Sequence, residues 1–94
     1  MAKIKIHPTD PTCHMYWDIA RNEPNCFWVR PTNPSWNWNG DFDKPTVSPS
    51  ILTRFGDYII DHVFIRNGQI QYLSDCTHKY AGKVVDMIDF PEDW

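Results

Sequence analysis

The chain has no concentrated positive charge. Its nine Lys and Arg are scattered through 94 residues, against twelve Asp and Glu, for a net charge of -3. A nucleic-acid binder needs a basic face that displaces counterions from phosphates, so DNA or RNA partners are not expected. Long apolar runs are also missing. No stretch reaches the ~18 residues of a membrane helix, and the N-terminal MAKIKIHPTDP has no apolar core of a signal peptide. The expected setting is the cytosol, with no membrane partner. Cysteine is sparse and odd in number: Cys13, Cys26 and Cys76 cannot all pair within one chain. In a reducing compartment they read as free thiols or metal ligands. There is no Gly-rich phosphate loop, no nucleophile elbow of the G-x-S-x-G type and no H-E-x-x-H.

What is present is aromatic and punctuated by proline. Aromatics make up 15% of the chain, with five Trp, and six of the eight prolines break up its first half. That composition is globular rather than disordered. Residues 1–94 read as one domain, with the tail 89–94 fraying unless Trp94 docks. The expected fold is mainly β: a compact antiparallel domain of hairpins with little helix. Candidate strands are 2–7, 14–19, 26–30, 46–54, 57–66, 69–73 and 82–88, with one helical turn over 77–81. Pro49 marks 46–54 as an edge or bulged strand. Asn39-Gly40 and Asn67-Gly68 both read as two-residue hairpin turns, because such turns need positive φ at their central positions.

The Asn67-Gly68 hairpin fixes a register. Arg66 pairs with Gln69, Ile65 with Ile70 and Val63 with Tyr72. Continued outward, the register sets Asp61 opposite Ser74 and Ile59 opposite Cys76. Asp61, Cys76 and His78 then share one face at the open end, and His62 and Asp75 point to the other side. Asp61, Cys76 and His78 supply a carboxylate, a thiol and an imidazole, the donor types of a zinc site, with Cys13 as a possible fourth. The plainer reading is a buried Cys, a surface His and a solvated Asp. Asp10 and Cys13 have half the form of a zinc knuckle. A Cys76–His62 or Cys76–His78 nucleophilic pair is arithmetically open, but the register turns His62 away from Cys76. Trp36 and Trp38 would share a strand face and could stack on a flat, nucleotide-like ligand, although packing is the commoner use of Trp in a small β domain. Asp41, Asp43 and Asp57 read as turn chemistry before paired catalytic carboxylates.

The segments WNWNGDFDKPTVSPSIL and DHVFIRNGQIQYLSDCTHKYAGKVVDM resemble a family of small phage and prophage proteins of unknown function. Some of its members carry the label "ammonia monooxygenase", and relatives occur beside bacterial ubiquitin-like conjugation genes. The family pattern holds a C-x-x-C near its start, then W-x-x-N-G-D with P-S-I, then C-H-x-F with D-(S/C)-T-H-x-x-A-G. The resemblance implies a zinc-ribbon-like site. Carried onto this chain, it gives Asp10, Cys13, Asp61 and His78 as metal ligands, with Cys76 as the alternative fourth. Asp10 and Asp61 stand where the family has cysteines, and His62 matches its other histidine. The function expected from these features is a phage accessory protein that binds a host protein or a defence component, with an open strand edge that suits a homodimer. The alternatives are a metal-dependent hydrolase using Asp61 and His78, and a small-ligand binder using Trp36 and Trp38.

Overall fold

The computed structural model describes residues 2–94. Eight strands follow in chain order: β1 (Ile4–His7), β2 (Asp10–Asp18), β3 (Glu23–Trp28), β4 (Asn37–Trp38), β5 (Val47–Phe55), β6 (Tyr58–Arg66), β7 (Gln69–Tyr72) and β8 (Val84–Asp86). They form two antiparallel sheets, β1-β2-β3 and β4-β5-β6-β7-β8. No helix occurs among the described residues. Residues 77–81 make turns instead, with the Ala81 amide donating to the His78 carbonyl at 3.2 Å.

The alternation of side chains explains the core. β6 buries Asp61, Val63 and Ile65, and β7 buries Ile70 and Tyr72. These residues meet Val47 and Ile51 of β5, and Ile4, Tyr16 and Phe27 of the other sheet. The two sheets thus share one apolar centre, as small antiparallel domains require. Trp36 and Trp38 are half-buried against this centre. Trp36 packs on Trp28, and Trp38 packs on His14 and Phe42. The tail lies against the first sheet: Trp17 meets both Phe90 and Trp94, and the Phe90 amide donates to the Ala2 carbonyl.

The Asn67-Gly68 turn is the two-residue hairpin that its sequence predicts. Asn67 has φ 49° and Gly68 φ 78°, and the flanking pairs are Arg66–Gln69, Ile65–Ile70 and Val63–Tyr72. Two further expectations fail. The ladder of β6 and β7 stops at Tyr72, so Asp61 does not pair with Ser74 nor Ile59 with Cys76. The cause is the crossing of the chain at Tyr72. Its N–H bonds the Lys83 carbonyl and its C=O accepts from Gly82, while Leu73 turns back to bond the His62 carbonyl. Asn39-Gly40 is no two-residue hairpin either. The loop runs from Asn39 to Thr46, because the Asn39 side chain ties it shut. Its Oδ1 accepts from the amides of Asp41 and Thr46, and its Nδ2 donates to the Lys44 carbonyl.

Candidate active site

Three side chains line up on the outer side of the larger sheet. Ser50 Oγ lies 2.9 Å from His62 Nε2. His62 Nδ1 lies 2.9 Å from Asp75 Oδ2 and 3.2 Å from Oδ1. The partners fix the imidazole's tautomer: Nδ1–H donates to the carboxylate, leaving Nε2 to accept the serine proton. A nucleophile, a base and an acid that orients the base stand in hydrogen-bond sequence.

The local chain explains each placement. β5 and β6 pair Val47 with Ile65, and then Ile51 with Val63; the register shifts between them. This bulge spans Ser48, Pro49 and Ser50. A bulge breaks strict alternation and re-aims a side chain, here the Ser50 hydroxyl toward the base. His62 belongs to the regular part of β6, opposite Leu52, and alternation sends its ring to the outer face while Asp61 points inward. Asp75 arrives on the turn after β7. The Leu73 amide bonds the His62 carbonyl at 2.9 Å, and Cys76 Sγ accepts the His62 amide at 3.2 Å. These two bonds hold Asp75 beside the ring.

A second constellation lies inside, behind His62. Ligand atoms of Asp61, Cys76 and His78 all fall within 4.8 Å of one another. His78 Nε2 meets Asp61 Oδ1 at 2.8 Å, and Cys76 Sγ lies 3.9 Å from that same oxygen. The Asp61 side chain is fully buried. Burial, reinforced by the neighbouring carboxylate of Asp18, pushes its pKa up to about 8, so it carries a proton at neutral pH. Burial also raises the Cys76 thiol, with Asp61 and Asp75 adding to it. Asp18 is buried too, and it accepts the Tyr72 hydroxyl proton at 2.7 Å.

The other expected ligands lie elsewhere. Asp10 caps its own turn through the Thr12 amide and hydroxyl, at 3.0 and 2.7 Å, and those bonds lower its pKa. Cys13 sits on β2, hydrogen-bonded through its side chain to Cys26, and burial raises its pKa. Asp61, Cys76 and His78 are therefore brought together, while Asp10 and Cys13 are not among the residues that converge with them. As a cradle for zinc the inner cluster is partial. It offers three donors of suitable type. Against that, the His78–Asp61 contact is a closed hydrogen bond, and the Asp61 carboxyl and the Cys76 thiol hold their protons at neutral pH.

The register already sends His62 and Asp75 to one side; sequence reasoning missed Ser50. A signal was available, because Ser50 and His62 are the polar residues within the P-S-I and H-x-F segments quoted above.

Residues 20–73 match the family model described as Bacterial ubiquitination-like system serine protease (BubE). The match contains Ser50 and His62 and ends two residues before Asp75. No curated protein and no solved structure matches the chain.

Proposed function

The chain belongs to the bacterial ubiquitination-like system serine protease (BubE) family, and on that premise we propose that it is a serine hydrolase acting on a protein of such a system. The observation that carries this reading is the Ser50–His62–Asp75 alignment, with both contacts at 2.9 Å. In this reaction Ser50 Oγ attacks the carbonyl carbon of a peptide or isopeptide bond, and His62 Nε2 takes the hydroxyl proton. Asp75 keeps Nδ1–H toward itself and stabilises the imidazolium. His62 then hands the proton to the departing amine, leaving an acyl group on Ser50. Water adds to that ester with its proton passing to His62, which returns it to Ser50 Oγ as the ester C–O bond breaks and the acid is released. The expected action on another protein is kept in this reading, and Ser50 supplies the chemistry.

The test is reaction with a fluorophosphonate probe, which phosphorylates an activated serine. Wild type should be labelled on Ser50, and Ser50→Ala and His62→Ala should not. A folded wild-type protein that resists the probe would refute the reading.

A second reading concerns the inner cluster. The convergence of Asp61, Cys76 and His78 supports a zinc-type ion with a structural role. Elemental analysis of purified protein, with melting in the presence and absence of chelator, tests it. Less than a tenth of an equivalent of metal and an unmoved Tm would remove it.

A further inference from the structure

The free edge of β5 beside Ser50 is built to receive a strand. His62 turns its N–H and C=O toward the β7 side, to Cys76 Sγ and Leu73. In an antiparallel ladder the residue opposite, Leu52, then belongs to a pair that shares no main-chain hydrogen bond. The Leu52 N–H and C=O therefore point outward, away from β6. β4 covers only Val47 and Ser48 of β5, and beyond them the edge has no neighbouring strand among the described residues. The Ser50 carbonyl on that edge is met by Trp36 Nε1 at 3.2 Å.

Facing this edge across a groove is the outer edge of β3. The Trp28 carbonyl points outward and accepts the Trp36 amide at 2.8 Å. Cys26 has the same parity; Asn25 Oδ1 occupies its N–H, and its carbonyl faces the groove. The groove holds about 290 Å³ between Cys26, Trp28, Trp36, Leu52 and Arg54. Asn25 Nδ2 closes its floor by bonding Thr53 Oγ1 at 3.0 Å. From Ser50 to Arg54 the edge runs about 13 Å, which matches about four residues of extended chain. Arg54 is the charged residue of the lining, which holds no acid, and a second cation, Arg30, stacks on Trp28.

The geometry points to this groove as the substrate subsite: an extended, unfolded peptide segment with neutral or acidic side chains adds as a strand to the outer edge of β5, with Leu52 reading its main chain and the scissile carbonyl brought to Ser50. The inference rests on the serine hydrolase reading above. Strand addition takes its affinity from main-chain hydrogen bonds and its selectivity from alternate side-chain pockets. Here the indoles of Trp28 and Trp36 form the apolar wall, and the guanidinium of Arg54 sits at the mouth.

Two substrates separate the subsite from the triad. p-Nitrophenyl acetate is too small to need the groove and reports Ser50 alone. A peptide library made by digesting denatured bacterial lysate, read by mass spectrometry, needs the groove. Leu52→Pro deletes the outward N–H at a position where an edge strand accepts proline. It should hydrolyse the ester within about twofold of wild type and cleave the library about tenfold more slowly, the effect of one lost main-chain bond. Arg54→Glu alters only an exposed side chain, and it should drop acidic peptides from the cleaved set with ester turnover intact. If both variants cleave the same peptides at wild-type rates, or if wild type hydrolyses the ester and no peptide, the subsite is refuted and the triad stands. If wild type hydrolyses neither the ester nor any peptide, the triad falls and the subsite with it.

Discussion

Removing the carboxylate from Asp75 should slow ester hydrolysis by about a hundredfold without unfolding the protein. The carboxylate lies 2.9 Å from His62 Nδ1, and its job is to stabilise the imidazolium that forms as Ser50 attacks. Coulomb's law at that distance gives about 6 kcal/mol at an effective dielectric near 20, and about 1.4 kcal/mol in bulk water. The Asp75 side chain is 43% exposed, so neither limit applies. An intermediate dielectric near 40 gives about 3 kcal/mol, or two orders of magnitude in rate. Asp75→Ala should therefore retain about 1% of wild-type kcat/KM on p-nitrophenyl acetate, while Ser50→Ala falls to background. The exposure that softens the effect also protects the fold: Tm should move by no more than a few degrees. Activity of Asp75→Ala within twofold of wild type, with Ser50→Ala inactive, would refute the role given to Asp75.

Three further outcomes follow from the interior and the turns. Asp61 holds its proton to about pH 8 in the folded chain, against a model-peptide value of 3.8. The folded state thus binds the extra proton, and stability should decline as pH rises from about 4 to about 8. Urea midpoints at pH 5, 6.5 and 8 should show this fall, and Asp61→Asn should flatten it; a wild-type midpoint that rises over that window contradicts the assignment. Tyr72→Phe removes the hydroxyl that donates to Asp18 at 2.7 Å and accepts from the Ala20 amide at 3.1 Å. It should cost about 2 kcal/mol in urea unfolding, because a buried carboxylate loses its hydroxyl donor and keeps only the Ala20 amide on that oxygen, and a loss below a few tenths would show that water replaces the hydroxyl. Gly68→Ala places a Cβ 3.3 Å from the Asp43 carbonyl oxygen and from Lys44 Cα, at φ +78°. A destabilisation of about 1 kcal/mol or more is expected by thermal melting, and a neutral result would mean that the 43–44 segment yields.

What could be read ahead of the coordinates was governed by alternation. The Asn67-Gly68 turn carried its register into the structure because both turn residues adopt positive φ and both flanking strands bury one face. That register put Asp61, Cys76 and His78 on one side and His62 and Asp75 on the other, and the side chains meet in those groups although the ladder ends sooner than expected. Ser50 escaped because it sits in a bulge, where counting by twos fails, and because P-S-I lacks the glycines of a nucleophile elbow. The loop of residues 39–46 escaped because an Asn side chain making three hydrogen bonds outweighed the turn preference of Asn-Gly. Asp10 and Cys13 follow local needs: Asp10 is consumed by Thr12, and Cys13 finds Cys26 across the β2–β3 pair.

Nucleophile, base and orienting acid all come from residues 50 to 75, on a meander folded by two tight reversals. Contacts this short in sequence close early and at little entropic cost. The reactive machinery is thus a self-contained cassette, and the sheet of β1, β2 and β3 acts as its backing plate and, at β3, as one jaw of the cleft. Substitutions in β1 and β2 should be felt as changes in protein abundance, and those in β3 as changes in which chains are cut.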